Sequence, residues 1–280
     1  MTVKSILVPL TGSPNDSVSL ATAFVVAKQF GGHVDAVLAQ PSPEEVVYAA
    51  DLYESIEARK VLAEQVRNAA KLAFASAAKQ ADAATEPSRT AKNITASYRT
   101  ETGLMPSIVG AASLFADLVV FPPLRLADHS TLQDAFVEVL MRAQCPVLLC
   151  AQSAPERVGS KIAAGWDDGL PAAHALVSAI PFLEKSGAVQ LLAVRRGLGH
   201  DFDIAEVTEY LGLHGVDVRY QDISSGSHQT GEQLLAAAAG QGCDLLVVGG
   251  YGHSRTLETV FGGVTDYIAS HSTIPVLMAH

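Results

Sequence analysis

The chain repeats one plan. "KSILVPLTGS" and "SKIAAGWDDG" each hold a short apolar run that stops at a turn, Ile6 to Leu10 and Ile162 to Trp166. A helix-like stretch follows each, Ser17 to Gln29 and Pro171 to Glu184, opening near a residue that favours helix starts. Both stretches close at glycine, in "FGGHVDAVLA" and "SGAVQLLAV", and lead into a second apolar run. Later "ADLVVF" is matched by "CDLLVVGG", and "CPVLLC" by "IPVLMA". Nearly continuous apolar runs alternating with helices bury both faces of a sheet, which predicts a parallel α/β arrangement covered on each side. The expected domains are residues 1–152 and 158–280, joined through polar "AQSAPERVGS" with its Pro155 and Gly159.

The repeats differ by an insertion. Only the first carries "DLYESIEARKVLAEQVRNAAKLAFASAAKQADA", which sets Leu52, Ile56, Ala63, Val66, Ala70, Ala73 and Ala77 on one helical stripe. A long helix packing small residues on the sheet is expected; a partner-binding or dimer helix is the alternative. The second repeat has only the short helix expected from "DFDIAEVTEYLGLHG".

Composition narrows the function classes. The formal charge is −10, and beyond Lys185 the only cationic side chains besides histidine are Arg195, Arg196, Arg219 and Arg255. A surface that tracks nucleic-acid phosphates needs far more positive charge, so nucleic-acid binding is disfavoured. Cys145, Cys150 and Cys243 lie beside apolar runs and form no C-x-x-C pair, which reads as buried thiols in a reducing compartment. "MTVKSILVPLTGS" lacks a signal-peptide apolar region, and no apolar run has membrane-spanning length. A soluble, cytoplasmic protein is the expectation.

"CDLLVVGGYGHS" puts glycines at the carboxyl end of an expected strand, where open parallel sheets bind ligands. Gly249, Gly250 and Gly252 admit backbone amides close to an anion. Gly262 and Gly263 come next, directly before the helix-like "VTDYIASHS", whose free N–H groups and positive dipole end suit a phosphate. A plain strand-to-helix turn is the simpler reading of scattered glycines.

The order Gly249-Gly250-Tyr251-Gly252, then His253 to Phe261, then Gly262-Gly263, before a helix and the "IPVLM" strand, resembles the universal stress protein family. The flanking strands and the repeat extend that resemblance over the whole chain, twice. It implies two tandem universal-stress-protein-like domains, each a five-stranded parallel sheet with helices on both faces, and binding of ATP or a related adenine nucleotide with magnesium. It further implies that Asp167 contacts the ribose or base region and that Val194 lends backbone groups to the adenine. Gly249, Gly252 and Gly262 match the phosphate-loop positions, with Val264 and Thr265 opening the helix behind. Gly263 replaces the Ser or Thr of many nucleotide-binding members, which removes one hydroxyl donor, about 0.5–1.5 kcal/mol of binding. Trp166 is placed to pack against the base or to cap the core, and His253 to donate to an anion.

The first repeat departs from the pattern. Thr11 stands where the second has Asp167, and Pro122 and Pro123 remove two amide donors, followed by Leu124, Arg125 and Leu126. No nucleotide is expected there. The histidines show no metal-ligand spacing, no nucleophile elbow surrounds a serine, and no Walker lysine is present, so no catalytic residue is assigned. Nucleotide-sensitive conformation or association in stress adaptation is the expected function. A scaffold with a vestigial loop and a weak ATPase are the alternatives. A homodimer or an unknown protein could meet the exposed edge of "IPVLM" or "CPVLL", unless the two repeats satisfy that edge internally.

Overall fold

The computed structural model describes residues 2–41, 56–85, 94–124, 130–195, 204–224, 229–251 and 263–280. The first repeat runs β1 (Ser5–Leu10), α1 (Asp16–Phe30), β2 (His33–Gln40), α2 (Ile56–Ala81), β3 (Thr95–Thr102), α3 (Met105–Ser113), β4 (Leu118–Phe121), α4 (Thr131–Val137) and β5 (Val147–Leu149). A π-helical turn, Glu138–Ala143, extends α4. The second runs β6 (Lys161–Trp166), α5 (Leu170–Leu183), β7 (Ala188–Arg195), α6 (Ile204–Leu213), β8 (Val218–Ser224), α7 (Gln229–Gly240), β9 (Leu245–Gly249), α8 (Val264–His271) and β10 (Val276–Ala279).

The chain divides into two compact units, principally Val3–Pro122 and Pro146–His280. In the first, parallel strands run in the order β3-β2-β1-β4. In the second the order is β5-β10-β9-β6-β7-β8, parallel except that β5 is antiparallel to β10. The apolar runs read in the sequence are the central strands, buried on both faces as expected: Ile6, Leu7 and Val8 of β1, Ile162, Ala163 and Ala164 of β6, and Leu245 and Leu246 of β9 are buried. β5 is the last strand of the first repeat, yet Val147, Leu148 and Leu149 pair with Met278, Leu277 and Val276. The two matching strands thus cover each other's edge, the internal solution the sequence allowed.

Strands β3 and β8 escaped the sequence reading because each ends its sheet order and carries a mixed pattern, "TASYRTET" and "VRYQDIS". Helix α2 buries Ala70, Phe74, Ala78 and Ala81 and half-buries Ala63, Val66, Ala73 and Ala77. The small-residue stripe therefore faces inward, with Phe74 against the Tyr98 ring at 5.7 Å; Leu52 lies outside the described residues. No described helix is long and apolar enough to cross a membrane. All three cysteines are buried free thiols. Burial, with the Asp117 charge adding to it, pushes the Cys145 thiol up to about 12, so it is inert at neutral pH.

A polar network crosses β2 and β3. The Ser97 hydroxyl donates to Asp35 Oδ1 at 2.8 Å, so it accepts from His33 Nε2–H at 2.9 Å. His33 Nδ1 lies 2.7 Å from the Thr95 hydroxyl, which donates to it when the ring is neutral. Arg99 closes the network on Asp35 at 3.0 Å and on Glu101. Burial holds the His33 pKa below its ordinary 6.5, against the pull of Asp35. The unfolded chain therefore binds this proton more readily, so the stability tied to neutral His33 is complete above 6.5 and is lost as pH falls through the lower folded value. Urea unfolding followed by circular dichroism should show a midpoint that drops on acidification below pH 6.5, and His33→Gln should flatten that part of the profile. An unchanged profile would remove His33 as its source.

Candidate functional site

The carboxyl ends of β6, β7 and β9 lie level. Trp166 pairs with Ala193, and the β6–β9 register ends with Ala164 against Val247, so that Trp166 and Gly249 each lie two residues beyond that last pair. Val194, buried, follows Ala193 at the end of β7. Asp167 follows Trp166, and its Oδ1 accepts the Gly169 N–H at 3.1 Å, turning the chain into α5. Asp168, between them, has φ +60°. Trp166, Asp167, Val194 and Gly249 are thus brought together at one end of the sheet. Gly252, His253 and Gly262 lie outside the described residues.

Gly249 has a structural reason for lacking a side chain. A Cβ there would sit 2.7 Å from Ala172 N and from Pro171 C, in the first turn of α5. The helix and strand backbones close directly on each other. The next two residues are held as tightly. Gly250 N–H donates to Ala279 O at 2.8 Å, extending the β9–β10 ladder by one bond. Tyr251, left-handed at φ +52°, donates its N–H to Thr265 Oγ1 at 3.2 Å. The Gly250 amide, which the sequence offered to an anion, and the Tyr251 amide beside it are already committed inside the protein.

The donors that remain are at the head of α8. Gly263 caps this helix at φ +93°, ψ −148°, a conformation closed to residues with a Cβ. The glycine that replaces Ser or Thr is therefore demanded by the backbone. The first helical bond runs from Tyr267 N to Gly263 O at 3.2 Å, so the N–H groups from Gly263 to Asp266 have no partner within the helix. Val264 is half-exposed, whereas Thr265 is buried and uses its hydroxyl on Tyr251. Asp266 sits in the first turn, where its charge competes with an anionic ligand for the helix dipole. Burial, and then the Asp266 carboxylate, push the Tyr251 phenol above its ordinary value. Its hydroxyl and Asp266 Oδ1 are buried without a hydrogen bond among the described residues. No sequence rule marked Tyr251 or Asp266.

The first repeat answers its expected deficiency differently from the prolines alone. Thr11 N–H reaches Asp16 Oδ1 at 3.0 Å, its hydroxyl the same oxygen at 3.0 Å, and Gly12 N–H reaches Oδ2 at 2.7 Å. A protein carboxylate fills the donor nest at the end of β1. Burial raises the Asp16 pKa, partly offset by these bonds. Above that nest, a Cβ on Gly12 would lie 2.8 Å from Val66 O and Cγ1 of α2. Gln40 Nε2 also donates to Ala63 O at 2.9 Å, holding α2 to the end of β2. The long helix thus lies over the carboxyl ends of β1 and β2, where a ligand would sit. Its counterpart α6 has 10 residues against 26. Pro122 and Leu124 are buried and Pro123 half-buried; Arg125 and Leu126 lie outside the described residues.

Residues 205–280 match the model of the universal stress protein family. The fold is similar to that of a universal stress protein from Archaeoglobus fulgidus DSM 4304, with a TM-score of 0.72 and 15% identity over 98% of this chain and 96% of that one. It is also similar to a functionally unknown protein from Pseudomonas aeruginosa PAO1, with a TM-score of 0.56 and 15% identity over 99% and 92% of the two chains. No curated protein matches the chain.

Gly249→Ala should destabilise the protein by about 1–3 kcal/mol, because two backbones must separate to admit the methyl group. Gly240→Ala, with nothing within 4 Å of the added carbon, should be neutral or slightly stabilising. Equal urea midpoints for the two variants would contradict the close approach.

Proposed function

We propose that this chain, a tandem universal stress protein, binds an adenine nucleotide in its second repeat and acts through nucleotide-sensitive conformation or association in stress adaptation. The observation that carries the reading is the convergence of Trp166, Asp167, Val194 and Gly249 at one sheet end, in the repeat that also contains α8 with its N-terminal amides unpaired within the helix. The residues present fit such a ligand. Gly263, Val264 and the neighbouring amides of α8 would hold the phosphates, with Gly252, His253 and Gly262 of the preceding sequence, and the Asp167 carboxylate would meet the ribose. The nucleotide supplies a polyphosphate whose charge and shape the loop senses. Among the described residues no group of three or more His, Cys, Asp or Glu could hold a metal ion. Magnesium would arrive with the phosphates. No group around the phosphates is assigned to hydrolysis.

A second reading is favoured by one observation: the amides of Gly250 and Tyr251 are bonded internally, as in a loop that no longer serves a ligand. The protein would then be an interaction scaffold, as a homodimer or with another protein.

Trp166 is the single tryptophan and reports on the site. Titration of magnesium-ATP should change its fluorescence saturably, with calorimetry giving one site per chain and Gly252→Val abolishing both signals. No heat and no fluorescence change up to millimolar ATP would leave the scaffold reading in its place.

A further inference from the structure

The peptide unit between Gly250 and Tyr251 is held at both of its polar ends by side chains from distant elements. Its N–H, on Tyr251, donates to Thr265 Oγ1 in α8 at 3.2 Å. Its carbonyl, on Gly250, accepts from His280 Nδ1 at 2.9 Å. A carbonyl oxygen can only accept, so the His280 proton resides on Nδ1. His280 is held in turn: His174 Nδ1, on α5, donates to the His280 carbonyl at 2.8 Å. The preceding amide, Gly250 N–H, is fixed by Ala279 O at 2.8 Å. Residues 279 and 280 therefore clasp both the donor and the acceptor of Gly250, while His174 anchors the clasp to the helix that closes on Gly249.

The clasp acts next to a strained residue. Tyr251 has φ +52°, a conformation that is strained for a bulky residue and persists only where neighbours over-determine it. Rotating the Gly250–Tyr251 peptide would relieve that strain and redirect the chain leaving β9. The His280 and Thr265 bonds oppose the rotation from opposite ends.

We infer that His280 is a positioning residue: with Thr265 it fixes the peptide plane of Gly250–Tyr251 at the end of β9, and His174 holds it there. This rests on the nucleotide reading for its functional consequence, but the positioning itself is measurable without a ligand. The role needs only a hydrogen-bond donor near the place of Nδ1, which an asparagine amide supplies and an alanine does not.

The test compares wild type with His280→Ala and His280→Asn, using two readouts. The first is amide hydrogen exchange at Tyr251 in ligand-free protein, read by nuclear magnetic resonance. His280→Ala should speed it about tenfold, the ratio that corresponds to one lost hydrogen bond of ordinary strength, and His280→Asn should restore most of the protection. The second is the dissociation constant for magnesium-ATP, which should rise about tenfold in His280→Ala and return toward wild type in His280→Asn. Exchange at Tyr251 that is unchanged in His280→Ala overturns the positioning role, whatever ATP does. Exchange that rises equally in both variants also overturns it, by showing that the imidazole's bulk and not its donor is what counts. Wild type that fails to bind ATP, with exchange behaving as expected, removes the nucleotide reading and leaves the clasp intact. His174→Ala, which keeps the His280 ring, should give a smaller rise in exchange; no rise would remove His174 from the clasp.

Discussion

The second repeat's site depends on one contact without side chains, the first turn of α5 against Gly249 at the end of β9. That approach sets where Asp167 and Gly169 turn into the helix, and it brings His174, one turn further along α5, within reach of His280. Gly250 and Tyr251 then leave the sheet in a direction fixed from β10 and α8. A methyl group at Gly249 would disturb all of these together, because close-packed backbones have no soft direction in which to yield.

The same plan folded twice has yielded two different sheet ends. In the first repeat the nest after β1 is filled by the carboxylate of Asp16, and α2 lies over it through Val66. In the second, Asp167 turns toward Gly169 and the short α6 replaces the long helix. An internal anion and a covering helix occupy the sheet end of the first. The second keeps a helix whose first N–H groups have no partner within the helix, although Asp266 moderates its attraction for anions.

Much of this was legible in the residues. The apolar runs of β1, β6 and β9 announced buried parallel strands, because a strand covered on both faces needs no alternation. The glycine stops and the Pro171 start marked α1 and α5 to within a residue or two. Strands β3 and β8 did not show, since strands at the end of a sheet keep polar residues such as Arg99 and Asp222. At the site, the sequence pointed to Gly249 for its chemistry, and the structure adds a packing reason. Gly263, read in the sequence as a lost hydroxyl, also takes a conformation that favours glycine. The left-handed Tyr251 and the His174–His280–Gly250 chain were invisible, because hydrogen bonds between residues 106 and 30 apart leave no local pattern.

The proposed function confines nucleotide binding to the second repeat, at the end of β6, β7 and β9. Hydrogen–deuterium exchange across the whole chain, with and without saturating magnesium-ATP, tests it most directly. Binding there should add protection around Trp166–Gly169 and from Gly249 through Asp266 and leave the Thr11–Asp16 turn unchanged. Protection at Thr11–Asp16, or none anywhere in the second repeat, would contradict it.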